Sequence, residues 1–196
     1  SGKTEVYLQI AAIELSASKH CLILTPEIGL VPQLVDRFRR RFGCNVFEYH
    51  SNCSFKEKID TWKRSLETST PSVFIGTRSA IFLPLSNLGL IVLDEEHDSS
   101  YKQESPMPCY HARDLAIHRA KKIGAKVILG TATPSLKIWK NIKPGGNIAV
   151  AKLNRRISNR KLPAVNVVDM RAELAIGNRS LISRYLKNQL LNIKDK

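Results

Sequence analysis

The chain has 196 residues and is 43% hydrophobic, a length for one or two domains, which one well-buried core plus a remnant fits. Lys and Arg number 31 against 17 Asp and Glu, a net charge of +14 that favours a polyanionic partner: nucleic acid first, an anionic membrane or ribosomal RNA surface second. No run approaches the roughly twenty apolar residues of a membrane span and no charged-then-apolar leader opens the chain, so a cytoplasmic location without a membrane partner is expected.

Taken in chain order, amphipathic stretches alternate with short β-branched runs, the rhythm of strands and helices around a mostly parallel sheet. Helices are predicted at residues 4–17, 30–42, 55–66 and 111–122, and strands at 21–24, 45–49, 72–75, 88–93 and 126–129. Each strand run is short and apolar, as buried parallel strands are. Thr133 and Pro134 read as a cap and a first-turn proline, so a further helix is expected there, running through Trp139. The segment at 143–147, with Pro144, Gly145 and Gly146, should end it. Beyond lies a basic tail, 152–196, with eleven Lys and Arg against three Asp and Glu, a net of +8. One strand at 165–168 and one helix at 181–191 are predicted in it, too little for a second stable domain. The expected division is therefore 1–150 and 151–196. The four cysteines, Cys21, Cys44, Cys53 and Cys109, form no C-x-x-C pair, so no zinc site is expected and reduced thiols are the default.

Three elements carry chemistry. Ser1, Gly2, Lys3 and Thr4 match the last four residues of the phosphate loop G-x-x-x-x-G-K-[ST], directly before a helix. In such a loop the Lys reaches the β and γ phosphates, the Thr hydroxyl binds Mg²⁺, and N–H groups at the helix start hold the anion. Taken alone, the four residues also read as an arbitrary polar start. The apolar run 90–93 ends in Asp94, Glu95, Glu96 and His97, which puts carboxylates at the carboxyl edge of the sheet, where α/β ligands bind. Asp94 suits Mg²⁺ coordination through water, and Glu95 suits deprotonation of an attacking water. By itself this cluster also fits a solvated loop. Finally, the strand at 126–129 runs into Gly130, Thr131, Ala132, Thr133, Pro134 and Ser135, small and hydroxyl residues that let backbone approach a neighbouring carboxylate loop, or that simply cap a helix. Their order, each at a junction where a nucleotide site needs it, favours one site over coincidence.

On these motifs the chain resembles superfamily 2 helicases and, within them, the primosomal replication-restart type. The likeness rests on Leu24-Thr25-Pro26-Glu27-Ile28, on residues 76–82 from Gly76 through Thr77 and Arg78 to Phe82, on residues 94–103 from Asp94 to Gln103, and on residues 130–135. It implies a three-layer α/β fold with the parallel sheet of a RecA-like P-loop NTPase: one lobe at 1–150, then a linker and the start of a second lobe at 151–196. It implies an ATP-hydrolysing DNA helicase motor, moving 3′ to 5′, that reloads replication at stalled forks. ATP and Mg²⁺ are the implied cofactors, with Ser1, Gly2, Lys3 and Thr4 binding nucleotide, Thr4 and Asp94 holding the metal, and Glu95 as catalytic base. His97 and Gly130, Thr131, Ala132 and Thr133 would couple hydrolysis to movement. Thr25, Pro26, Thr77 and Arg78 would lie against the DNA backbone, roles that suit hydroxyls and a guanidinium. The polar segment 98–110 is expected as a mobile loop outside the core, similar to the aromatic-rich loop that such helicases use to sense DNA, with Tyr101 stacking on a base and Lys102 meeting a phosphate.

The resemblance further implies single-stranded and forked DNA, replication-restart proteins and single-strand binding protein as partners. The family's pattern extends before Ser1 into the glycine-rich start of the phosphate loop, and after Lys196 into a second lobe with zinc-binding cysteines and an arginine of the ATP site. A chain truncated at both ends, hydrolysing little ATP alone, is therefore the expectation. Two other readings remain open: a DEAH-type RNA helicase lobe, and a non-catalytic remnant that binds DNA or docks partners through its basic tail.

Overall fold

The computed structural model describes residues 2–43, 45–67, 70–142, 148–153 and 163–194. The chain divides into two compact units, Ser1–Arg156 and Ile157–Lys196.

In the first unit the short apolar runs become β1 (His20–Leu24), β2 (Val46–Tyr49), β3 (Val73–Gly76) and β4 (Leu88–Leu93), then a small ribbon of β5 (Lys102–Gln103) and β6 (Tyr110–His111), then β7 (Lys126–Leu129). Five of them form one parallel sheet in the order β2-β3-β1-β4-β7, and β5 pairs with β6 antiparallel. Every residue of β1, β3 and β4 is buried, which explains why these runs are continuously apolar and not alternating. Because side chains alternate across a strand, Leu22, Leu24, Ile91 and Leu93 pack on one face, and Cys21, Ile23, Leu90 and Val92 on the other.

Helices cover both faces. Tyr7 and Ala11 of α1 (Lys3–Ser16) and Val31, Val35 and Phe38 of α2 (Val31–Phe42) close the second face. Ala112, Ala116 and Ala120 of α4 (Ala112–Ile123) close the first, helped by Ala80 and Ile81 of the 3₁₀ turn Arg78–Phe82. α3 (Phe55–Leu66) lies beside β2, where Thr61 Oγ1 donates to the Glu48 carbonyl at 3.1 Å. Local chemistry sets the helix ends. Pro32 opens α2 and Arg39, Arg40 and Arg41 close it against the helix dipole. Ser54 and Glu57 form a reciprocal cap on α3, with Ser54 N–H donating to Glu57 Oε2 at 2.7 Å. The three-layer α/β arrangement expected from the sequence is the one found.

Three local expectations are corrected. The helix expected from Thr133 and Pro134 starts later, as α5 (Leu136–Asn141), because Ser135 Oγ caps it by accepting from Ile138 N–H at 3.4 Å. Its expected end at 143–147 lies outside the described residues. Segment 98–110 is not wholly outside the core: it holds a 3₁₀ turn, Ser99–Tyr101, and the β5–β6 ribbon, and it buries Tyr101 completely. In the second unit, 163–169 forms no strand. Val165 and Val167 stand exposed, with no pairing partner among the described residues. That unit contains α6 (Met170–Ala175) and α7 (Arg184–Lys194), the latter begun by Ser183, whose Oγ accepts from Leu186 N–H at 3.0 Å.

Candidate functional site

Parallel pairing brings all five carboxyl ends of the main sheet to one edge. The register aligns Tyr49 with Gly76, Gly76 with Leu24, Leu24 with Leu93 and Leu93 with Leu129. His50, Thr77, Thr25, Asp94 and Gly130 therefore follow one another along that edge.

At its centre the acidic loop is held by backbone bonds to both neighbouring strands. Asp94 N–H donates to Leu24 O at 2.9 Å and Glu96 N–H to Gly130 O at 2.9 Å. Between them Glu95 takes a left-handed conformation, φ +48°, a strained geometry for a residue with a side chain. The Lys3 ammonium, from the first turn of α1, hydrogen-bonds Glu95 Oε1 and lies 3.4 Å from Asp94 Oδ1. Gly2, φ +86°, is the N-cap of α1 and offers no side-chain cap, so no side chain of its own covers the helix start, where an anion can dock. Thr4 is half-buried on the same turn, and Ser1 lies outside the described residues.

Tyr7, one helical turn after Lys3, donates its hydroxyl to Asp94 Oδ1 at 2.8 Å. Burial, then the charge of Asp94, pushes its phenol far above the ordinary range, so it stays a donor. The glycine at 130 follows from this contact: a Cβ there would fall on the Tyr7 hydroxyl and 3.3 Å from Asp94 Oδ1. Next to it, His97 Nδ1 meets Thr131 Oγ1 at 2.8 Å and stands 3.6 Å from Glu95 Oε2. Thr131 Oγ1 also accepts from Thr133 N–H at 3.0 Å, while Ala132 and Thr133 face solvent.

Along the edge, Thr25 is fully buried with its Oγ1 unpartnered, Pro26 is half-buried, and its carbonyl accepts from Ser100 Oγ at 3.2 Å. Thr77 and Arg78 are half-buried, and Arg78 Nη1 donates to the carbonyls of Ser100 at 3.2 Å and Lys102 at 2.9 Å. Lys102 is exposed and paired with Glu104 at 2.6 Å. The expectation for Tyr101 is corrected. Its ring is 0% exposed and its hydroxyl is shared between Leu24 O at 2.9 Å and Asp94 O at 2.7 Å, so it braces β1 against β4 and has no face free for a base.

Thus Lys3, Asp94, Glu95, His97, Gly130 and Thr131 come together, with Thr25, Thr77 and Arg78 farther along the same edge. Sequence reasoning missed Tyr7 and Arg113, and named Ser135 only as part of the 130–135 turn. The spacing of Tyr7 from Lys3, four residues on one helix face, was the available signal for the first. Among the described residues no group of three or more His, Cys, Asp or Glu side chains is placed to hold a metal by itself. Asp94 and Thr4 carry oxygen atoms of the hard kind magnesium takes in a polyphosphate site, where one or two protein oxygens suffice and phosphates and waters do the rest.

Comparisons with known proteins place the chain in a family. Residues 1–142 match the family model described as DEAD/DEAH box helicase. The chain is 53% identical to Replication restart protein PriA of Synechocystis sp. over all of its length and 24% of that protein's. It is 46% identical to Replication restart protein PriA of Bacillus subtilis, over 97% of this chain and 23% of that one. It therefore spans about a quarter of the length of these relatives. Among solved structures, the Pyrococcus furiosus Hef helicase domain superposes with a TM-score of 0.50 at 26% identity, over 68% of this chain and 28% of that one, and supports a RecA-like fold. The chain belongs to the DEAD/DEAH box helicase family of superfamily 2, and within it is similar to the replication restart proteins PriA.

Proposed function

We propose that residues 1–150 are the ATP-binding first lobe of a DNA helicase motor acting in replication restart, and that 151–196 are a linker and the start of a second lobe. The observation that carries this reading is the Lys3 ammonium at an uncapped helix start, held by Glu95 and close to Asp94. One cation between two carboxylates is a poor resting use of a phosphate-binding terminus. It becomes a good one when a polyphosphate competes for Lys3 and leaves Glu95 free to accept a proton from water. When bound, magnesium would offset phosphate charge, held by Thr4 and, through water, Asp94. Gly2 and Lys3 bind and orient the anion. His97 and Thr131 join the acidic loop to the next strand end and so pass its state along the edge. Pro26, Thr77, Arg78 and Lys102 face the track of a nucleic-acid strand, whereas Thr25, expected to touch it, is fully buried and has no surface to offer it. DNA is preferred over RNA as that track because the PriA relatives are named for replication restart. The 3′ to 5′ direction, and partnership with restart and single-strand binding proteins at forks, belong to the same reading.

Binding of Mg-ATP to this chain, and ATP turnover by the longer protein that carries it with single-stranded DNA or RNA added, test the proposal. Expected are little turnover by the chain alone, stimulation by DNA above RNA, and an ATP affinity that falls about tenfold or more in Lys3→Ala, roughly the value of one charge-assisted contact. Equal ATP binding by parent and Lys3→Ala, or salt-sensitive DNA binding with no nucleotide dependence, would replace the motor with a docking module. Stronger stimulation by RNA would replace its track.

A further inference from the structure

Glu96 and Arg113 form a buried ion pair that the nucleotide site as described does not use. Glu96 is 0% exposed and Arg113 5%, and their charged atoms are 3.0 Å apart. Such a pair is a weak source of stability, because desolvating two charges offsets most of their attraction. Its partners show what it does instead. Glu96 Oε1 accepts from Ser135 N–H at 2.7 Å, and Oε2 is 3.0 Å from Ser135 Oγ and accepts from Arg113 Nη1. Arg113 Nη1 also donates to Ser135 Oγ at 2.9 Å, and that same Oγ caps α5. A second link runs parallel, from Asp114 on α4 to Lys137 on α5 at 2.7 Å.

Glu96 lies one peptide from Glu95, which holds Lys3, and one from His97, which meets Thr131. Every polar atom of its carboxylate is therefore committed to fixing the acidic loop against the start of α5. A planar guanidinium is suited to meeting Glu96 and Ser135 at once, whereas an ammonium is a point charge.

We propose that Arg113 is a positioning residue that joins the acidic loop to α5, so that a shift of Glu95 on nucleotide binding is delivered through Glu96 and Ser135 to residues 136–141. This rests on the nucleotide reading above and goes beyond it. The coupled element is a set of buried and part-buried hydrogen bonds with a defined donor at each step, so breaking one side-chain donor weakens the coupling to the Ser135 N–H bond and the Asp114–Lys137 link without touching the ATP-contacting groups.

The chain contains two tryptophans, Trp62 and Trp139, and Trp139 sits on α5, largely exposed. In a Trp62→Phe background, emission therefore reports α5 alone. Mg-ATP binding is measured separately, by the anisotropy of a fluorescent ATP analogue. Binding is expected to change Trp139 emission in the parent. In Arg113→Lys and in Ser135→Ala the affinity should stay within about twofold while the emission change falls at least about threefold, since only the uncoupled arm is altered. A merely structural role would lower affinity and melting temperature together and leave the emission change proportional to occupancy. Should Arg113→Lys fail to fold by circular dichroism, Ser135→Ala decides. Analogue binding with an unchanged Trp139 signal in the parent, or a full response in both variants, overturns the positioning role alone. Absence of analogue binding in the parent overturns the nucleotide reading, and the positioning role with it.

Discussion

The hydroxyl of Tyr7 donates to Asp94 Oδ1 at 2.8 Å, joining the first helix to the end of a strand 87 residues away. Through this bond α1 is referenced directly to the acidic loop, so Lys3, one turn earlier, is held beside Glu95 by packing as well as by charge. The same hydroxyl occupies the space that a side chain at 130 would need.

Gly130→Ala is accordingly expected to destabilise the chain by about 1–3 kcal/mol, the range for overpacking a tight core. Adding Tyr7→Phe, which removes the oxygen in the way, should recover part of that loss although Tyr7→Phe alone is destabilising. Urea unfolding of the four proteins of this double-mutant cycle measures the coupling, and strictly additive losses would mean that the two sites do not touch.

Tyr101→Phe keeps the buried ring and loses its hydrogen bonds to the Leu24 and Asp94 carbonyls. A stability loss of about 1–2 kcal/mol is expected from the unpaired acceptor. Affinity for single-stranded DNA should stay within about twofold of the parent, because an inward ring has no base to stack on. A large loss of DNA affinity without loss of stability would return Tyr101 to the surface.

Arg78 is half-buried beside Thr77 at the edge proposed to meet nucleic acid. Arg78→Ala should weaken single-stranded DNA binding about three- to tenfold and lower the salt slope by about 1, the signature of one lost phosphate contact. An unchanged slope in fluorescence anisotropy across a salt series would mean that Arg78 serves only the carbonyls of Ser100 and Lys102.

His20 and Cys21 set opposite pH limits on the core. Burial lowers the His20 pKa below its usual 6.5, with Ser72 N–H donating to Nδ1 at 3.1 Å. A depressed value means stability that is present above 6.5 and lost as pH falls through the folded value, because the unfolded chain binds the proton first. Burial, then the charge of Glu14, pushes the Cys21 thiol from 9.0 up to about 12. A raised value means stability that is present below 9.0 and lost as pH rises toward about 12. Thermal melts should therefore drop less on the acid side in His20→Gln, and less on the alkaline side in Cys21→Ala, than in the parent. Parallel pH profiles for parent and variant would remove that residue from the account.

Much of the architecture was legible without coordinates, since continuous apolar runs report burial on both faces and amphipathic stretches between them report helices. The order of Lys3, then Asp94 and Glu95, then Thr131 was legible for the same reason: each motif sits at a strand or helix junction that local pattern marks. The start of α5 was not, because Ser135 was chosen as cap over Thr133 by its second set of bonds, to Glu96 and Arg113. Nor was the absence of a strand at 165–168, where local β preference had no neighbour among the described residues to satisfy it.

By itself the sequence determined most strands and helices of the first unit, that the sheet would be parallel with its polar groups at one edge, and which residue types stood ready for phosphate and metal chemistry. Those properties follow from periodicity, capping and composition, all local. Only the tertiary structure decided that Tyr101 would brace the sheet from inside, that Tyr7 would hold Asp94, and that Glu96 would be spoken for by Arg113 and Ser135. A tyrosine or an arginine is polar at its tip and apolar along its body, so its burial depends on acceptors that strand register brings within 3 Å, and no local pattern carries that information.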